Sequence, residues 1–355
     1  MKCLFVPIAC ILVIVGCTES KKVEKRVKTE VGGFENKIDS LLNTKQPRVF
    51  NGVVYITKND SVAYAKAKGF ADFETNTPIA LNDNFRIQSN SKQVTATLIL
   101  LEVEKGTINL EKSIDTYLPN LNTEWVNTVT VHNLLNMTSG ITELDSTLKF
   151  EPGTDFHYSN PGYGLLGQIL ANVSGKTYAE NVNKLFANLG MNNSFCYEFG
   201  KENKVIDGYR ISVNDFEKLE FSDINFTKES WNNFAPAGGI ISNVKDLNIW
   251  DKKLHGGKIL KPASYQKMTN YHIKSAHPAF GSKKVGYGYG VRIDENTPLR
   301  HIGHAGRGIG FANIKFYIPE KNIDVIVLEN VYNENEAIIY HFEKAIRDAV
   351  LNSNL

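Results

Sequence analysis

Cysteine is scarce, and it falls in no pattern that binds metal. Of four cysteines in 355 residues, three lie within the first seventeen positions and only Cys196 lies beyond them. There is no Cys-x-x-Cys pair and no His-Glu-x-x-His, and the eight histidines are scattered, so nothing in the spacing argues for a metal centre. The chain also lacks a Gly-x-Ser-x-Gly elbow, a P-loop, and a Gly-x-Gly-x-x-Gly set between strand and helix. These absences exclude the usual α/β-hydrolase nucleophile and the common nucleotide cradles. Charge of one sign is missing too. Forty basic and 38 acidic residues leave a net +2, which gives nucleic-acid binding no compositional support. What remains, 42% hydrophobic and 22% charged, is enough for a large core in one big domain or two lobes.

The one sustained apolar run is Leu4–Val15, behind Met1-Lys2 and ahead of Gly16-Cys17. It is too short and wrongly flanked for a stable span and reads as a targeting signal. Ile14-Val15-Gly16-Cys17 resembles the lipobox of bacterial lipoproteins, in which cleavage precedes a cysteine that is then lipidated. The plainer reading is an ordinary signal peptide with an incidental cysteine. Residues 18–30 are charged and Lys-rich and read as a tether. The expected organisation is a signal over 1–16, a tether over 17–33 and one domain over 34–355. That domain has no internal disulfide, and Cys196 is an inert buried thiol.

Strand patterns lie at both ends and helical patterns in the middle. A short helix ends near Asn43. Val49–Thr57 and Ser61–Gly69 form a hairpin across Lys58-Asn59-Asp60. Helical spacing then covers 89–105, Ile108–Leu118, Val131–Ile141 with a Gly140 cap, Tyr163–Val173 and Tyr178–Leu189. Residues 200–235 are polar and irregular, and Gly238–Ser242 reads as a turn. Asn243–His255 and a short helix within Lys258–Thr269 follow. The strands Tyr287–Ile293, Arg300–Gly303, Gly310–Tyr317 and Ile323–Glu329 precede a closing amphipathic helix from Ala337. The pattern lacks the regular alternation of a doubly wound sheet. The expected class is α/β of the α+β kind, an antiparallel sheet built from both ends of the chain and flanked by the terminal helices. An all-helical lobe is inserted at roughly 89–235.

Ser89 stands between a strand end (Phe85, Ile87) and a long helix. A helix N-cap is the plain reading of such a serine. The sharper one makes Ser89 a nucleophile whose proton is shared with Lys92, one turn on, on the same face and partly buried. Spacing alone does not decide, because Ser-x-x-Lys also occurs at Ser146/Lys149, Ser242/Lys245 and Ser264/Lys267. Two further segments carry chemistry. Tyr158-Ser159-Asn160 is the one Tyr-x-Asn in the chain, and Gly303-His304-Ala305-Gly306 leads into Arg307-Gly308. Taken singly, these read as a buried tyrosine before a Pro-Gly turn and a Gly-rich turn with an incidental histidine.

Taken together and in this order, they resemble the serine β-lactamase and penicillin-binding-protein superfamily. The likeness is greatest to the branch holding class C β-lactamases, carboxypeptidases of that type and related esterases, and it covers roughly residues 45–330. Leu134-Leu135-Asn136-Met137-Thr138-Ser139-Gly140, Pro152-Gly153-Thr154 and Pro236-Ala237-Gly238-Gly239 resemble further segments of that family. The resemblance implies that Ser89 forms an acyl-enzyme and that Lys92 and Tyr158 handle protons, with Lys92 pulling the tyrosine pKa down. It implies that Asn160 holds a substrate oxygen and helps fix Lys92, and that Gly306 leaves the strand bare for substrate. The oxyanion hole is then formed by the backbone N–H of Ser89 and of Arg307.

Two departures bear on substrate. His304 stands where many relatives carry lysine, and a neutral imidazole binds a carboxylate less well. Ala305 lacks the usual hydroxyl, and Arg307 is the candidate replacement charge. The expected activity is amide or ester hydrolysis through an acyl-serine, without metal or organic cofactor. It is peptidase-like on D-amino-acid substrates or esterase-like, with β-lactam turnover lower. The substrate is a small molecule or peptide, and the chain is lipid-anchored in the cell envelope. The alternative is an acylatable or non-catalytic penicillin-binding and sensing module.

Overall fold

A computed structural model describes residues 33–200, 204–212, 215–220 and 224–355. Cys17 and the rest of the leader and tether up to residue 32 lie outside the described residues.

One antiparallel sheet organises the molecule. Its eight strands run in the order Ile273–Ser275, Val285–Tyr287, Arg292–Asp294, His301–Gly308, Phe311–Ile318, Ile323–Glu329, Gly52–Lys58 and Ser61–Lys68. The two ends of the chain meet inside it, with Gly52 opposite Glu329 and Lys58 opposite Ile323. The hairpin at 58–60 turns on Asn59 and Asp60, both at positive φ (48° and 66°), the pair that a right-twisted two-residue turn requires.

The pleat sends alternate residues of the central strand Ile323–Glu329 to two different cores. Ile326 and Leu328 join Val53, Ile302 and Phe311 under the helical lobe. Val325 and Val327 join Val54, Ile314 and Phe316 under the terminal helices, 33–42 and His341–Leu351. With both faces covered, the strand carries an unbroken apolar run, Val325–Leu328, between Asp324 and Glu329, and all seven of its residues are buried.

The α+β class with a helical lobe between the sheet's terminal segments is the observed one. The lobe is built from Ser91–Lys105, Asn160–Ser174, Tyr178–Leu189, Lys228–Gly238, Val244–His255 and Pro262–Thr269. Tyr178–Leu189 shows why the sequence read correctly there. Thr177 and Glu180 form a capping box, Gly190 closes the C-terminus at φ +74°, and Val182, Leu185, Phe186 and Leu189 are buried.

Several local readings are corrected. Val131–Leu135 ends five residues before Gly140, because the Asn136 side chain turns back to accept from Thr138 N–H and Oγ1 and Met137 adopts φ +64°. Ile108–Leu118 holds only a 3₁₀ turn, Ile114–Thr116. The polar stretch 200–235 contains the strands Tyr209–Ile211 and Phe216–Lys218 and the start of helix Lys228–Gly238. Tyr287–Ile293 is two strand ends folded back on each other across Gly288 and Gly290, the latter at φ +67°. Ile240–Ser242 is a strand, pairing Phe85–Arg86 on one side and Phe195–Cys196 on the other.

Candidate active site

The small sheet just described sets the entrance to the long helix. Phe85 and Arg86 pair with Ser242 and Ile241, and Ile87 N–H donates to the Ile240 carbonyl at 3.1 Å. The chain then tightens into a 3₁₀ turn, Gln88–Asn90, before helix Ser91–Lys105 begins. Gln88 sits at φ +49°, a strained value for a residue with a Cβ, and its Nε2 donates to the Gly308 carbonyl at 2.7 Å. Ser89 does not cap the helix: Asn90 occupies that position, with no side-chain cap bond. In the run 85–100, which is otherwise buried, Ser89 alone is partly exposed.

Lys92 is fully buried. Its Nζ lies 3.2 Å from Ser89 Oγ and donates to Asn160 Oδ1 and to the Ala237 carbonyl, each at 2.8 Å. A neutral amine has two N–H bonds and one lone pair. Two carbonyl oxygens take the N–H bonds, and the lone pair is left for the Ser89 hydroxyl. Burial, with the Arg292 guanidinium nearby, holds Lys92 well below the usual lysine range, which favours that neutral form. The lysines of the other three Ser-x-x-Lys matches (Lys149, Lys245 and Lys267) are all exposed. The spacing becomes chemistry only where the lysine is desolvated.

Tyr158 and Asn160 flank a helix start. Ser159 caps helix Asn160–Ser174, its Oγ accepting from Gly162 N–H at 3.0 Å, and this fixes both neighbours. The loop before them is tied to the Thr138 segment through Gly153 N–H to the Thr138 carbonyl (2.8 Å) and His157 N–H to the Met137 carbonyl (3.0 Å). Lys92 Nζ stands 4.7 Å from the Tyr158 ring centroid.

The expectation that Lys92 lowers the tyrosine pKa is overturned. Burial pushes the Tyr158 phenol up to about 12, outweighing hydrogen bonding to Ser89 and the pull of Arg292 and Arg307. Lys92, itself driven toward neutrality, has little charge to offer. The pair rests as amine and phenol.

His304, Ala305 and Gly306 lie inside strand His301–Gly308, not in a turn; the turn comes later, at Ile309 (φ +49°) and Gly310 (φ +80°). His304 is fully buried, its Nδ1 2.6 Å from the Ala305 carbonyl and its Nε2 3.3 Å from Tyr287 Oη. Nδ1 therefore carries the hydrogen and Nε2 accepts from the tyrosine. Burial, with the Arg292 guanidinium nearby, keeps the imidazole neutral, well below its usual range.

Gly306 is bare for a reason other than the one expected. A Cβ there would stand 2.6 Å from the Ile87 carbonyl oxygen and 2.8 Å from Gln88 Cβ, so the space is taken by the turn that carries Ser89 and not left for a substrate.

Arg307 does not bring a free charge. It is exposed and paired with Glu336 at 2.8 Å. The buried cation beside the site is Arg292, which sequence reasoning missed. It is 3% exposed, its Nη1 donates to Ser275 Oγ at 2.8 Å and its guanidinium lies 5.2 Å from the Tyr287 ring centroid. Among the described residues no carboxylate pairs with it, and its Nε has no partner. The available signal was an arginine between Val291 and Ile293, a charge inside an apolar run. Ala237 was matched only as part of a resemblance; its role is the carbonyl on Lys92. Cys196 is buried, its thiol pushed up to about 12 by burial, as an inert cysteine should be.

A family model described as Beta-lactamase matches residues 34–346. Penicillin-binding protein 4* of Bacillus subtilis (strain 168) is 26% identical over 336 residues, covering 84% of this chain and 71% of its own length. A putative penicillin-binding protein, PbpX, from the same strain is 28% identical over 337 residues, covering 88% and 78%. Among solved structures, D-amino acid amidase from Ochrobactrum anthropi SV3, complexed with L-phenylalanine amide, is similar with a TM-score of 0.75. The identity is 22%, over 90% of this chain and 99% of that one, a likeness of fold.

Proposed function

The chain belongs to the beta-lactamase family and is a serine hydrolase of it; from that premise we propose that Ser89, Lys92 and Tyr158 hydrolyse an amide or ester through an acyl-serine intermediate. The observation that carries the reading is the single buried amine held 3.2 Å from a partly exposed serine hydroxyl.

In the first half-reaction Lys92 takes the Ser89 proton as Oγ bonds to the substrate carbonyl carbon. Negative charge develops on the carbonyl oxygen, and the backbone N–H groups of Ser89 and Arg307 are the proposed donors to it. One such donor is worth ~3 kcal/mol of barrier. The C–N or C–O bond then breaks, and the departing group takes a proton from the Tyr158 phenol, which is re-protonated from Lys92. Water releases the acyl group by the reverse proton path. Asn160 keeps Lys92 in place with one oxygen and can offer its amide to the substrate.

A neutral, buried His304 supplies no fixed cation for a substrate carboxylate, which supports amides and simple esters over β-lactams. The D-amino acid amidase likeness points the same way. We also propose that Cys17 is the lipidated N-terminus of the mature chain, with residues 18–33 as a tether to the cell envelope. The support is the Ile14–Cys17 sequence and the polar stretch behind it.

The test is intact-mass spectrometry after a fluorophosphonate, with turnover of D-Ala-D-Ala peptides, amino-acid amides, p-nitrophenyl esters and nitrocefin. An adduct on wild type that is absent from Ser89→Ala, with amides or esters turned over faster than nitrocefin, is the expected result. Unchanged turnover in Ser89→Ala overturns the mechanism. The same spectrum reads the lipid mass on Cys17, absent if the anchor proposal is wrong.

A further inference from the structure

We propose that a cavity on the helical lobe receives the acyl half of the substrate and selects an apolar, aromatic side chain accompanied by a free ammonium group. This rests on the serine-hydrolase reading and names the substrate class.

The cavity, of about 450 Å³, starts at Asn160 and runs between helices Asn160–Ser174 and Lys228–Gly238, with the 143–145 loop at its mouth. Its volume suits one amino-acid residue with a large side chain. Asn160 is its link to chemistry, since the same side chain holds Lys92 beside Ser89. The cavity is thus linked to Ser89 through two side chains in hydrogen-bond contact, Asn160 and Lys92. Tyr158, the proposed proton donor to the departing group, has the sheet residues Tyr287 and His304 about its ring at 6.3 and 6.2 Å, and Lys92 of the lobe at 4.7 Å. The acyl part is placed on the lobe side because Asn160, which borders the cavity, is the side chain that holds Lys92 beside Ser89.

The cavity wall is aromatic and braced. Phe226 and Phe234 lie 5.3 Å apart, and buried Trp231 packs against both, at 5.3 and 5.6 Å. Both rings are only half buried, so they still have faces to offer. The two helices approach too closely for this wall to shift. A Cβ on Gly164 would meet the Asn233 carbonyl at 2.5 Å, and Gln168 Nε2 donates to Asn233 Oδ1 at 3.0 Å.

Charge at the mouth supplies the second selection. Glu143 and Asp145 are exposed there, the described lining contains no cation, and no described residue forms an ion pair with either carboxylate. Two unneutralised negative charges above an aromatic wall favour an ammonium and repel a carboxylate.

The test compares phenylalanine p-nitroanilide, in both enantiomers, with its N-acetyl counterpart and with alanine p-nitroanilide on the purified protein. The expected result is a preference of about tenfold in kcat/KM for the free-amine aromatic substrate. The ratio of free-amine to N-acetyl turnover should fall about fivefold in Glu143→Gln/Asp145→Asn, and less at high salt. The ratio of phenylalanine to alanine turnover should fall about tenfold in Phe234→Ala. Tm and fluorophosphonate labelling of each variant separate misfolding from lost selectivity.

N-acetyl substrates cleaved as well as free amines, or ratios unmoved in folded variants, overturn the pocket proposal while leaving the hydrolase reading intact. A wild type that takes no fluorophosphonate overturns the hydrolase reading and the pocket proposal with it.

Discussion

A Cβ placed on Gly306 would lie 2.6 Å from the carbonyl oxygen of Ile87. Strand His301–Gly308 therefore acts as a backstop for the turn that carries Ser89, and Gln88, at positive φ, is pressed against it and tied to Gly308. Gly306→Ala must push backbone, not a flexible side-chain end. The expected loss is ~1–3 kcal/mol of stability, with a kcat fall of ~10²-fold from misplacing the nucleophile. Thermal unfolding and acylation rates check both, and a variant with unchanged kcat would refute the backstop.

The resting amine–phenol pair fixes the shape of the pH profile. Lys92 must be unprotonated to accept the serine proton, and its pKa lies well below the ordinary lysine value, so kcat/KM should fall on the acid side as Lys92 protonates. Tyr158 must keep its proton, and with its pKa raised to about 12 no alkaline fall should appear below about pH 10. Lys92→Met should lose ~10⁴-fold or more across the whole range.

The same lysine leaves a stability signature. Its folded pKa is depressed, so between that pKa and the unfolded value the unfolded chain binds more protons than the folded one. Wild type should therefore gain stability relative to Lys92→Met as pH rises from the depressed folded pKa toward the ordinary lysine value, by up to ~1.4 kcal/mol per pH unit. Paired urea titrations read the difference directly, and a flat difference over this range would mean a Lys92 that stays charged in the folded protein.

The two arginines near the site should behave differently. Arg292 is buried with no described carboxylate, and it disfavours protonation of both Lys92 and His304. Arg292→Leu should move the acid limb of kcat/KM toward higher pH, because the lysine then protonates more readily. Arg307, exposed and spent on Glu336, should tolerate alanine with less than about a threefold change in kcat/KM.

What the sequence determined is what lies within a few residues along the chain. Thr177, Glu180 and Gly190 specify a helix wherever they are placed, and Asn59-Asp60 specify a two-residue hairpin. The order Ser89–Lys92, Tyr158–Asn160, His304–Gly306 was likewise legible, because each is a contiguous string. Tertiary structure alone decided which of four serine–lysine pairs has a desolvated lysine beside its serine, since a lysine's burial depends on whether distant segments exclude water from it. Ala237, 145 residues away, supplies one of the two carbonyls on Lys92. It decided that Arg292 and not Arg307 is the buried charge, because an arginine's value rests on the partners that other strands bring. It also decided why residue 306 must be glycine. The sequence shows a missing side chain, and only the packing of the Ile87–Gln88 turn against the strand shows what fills its place.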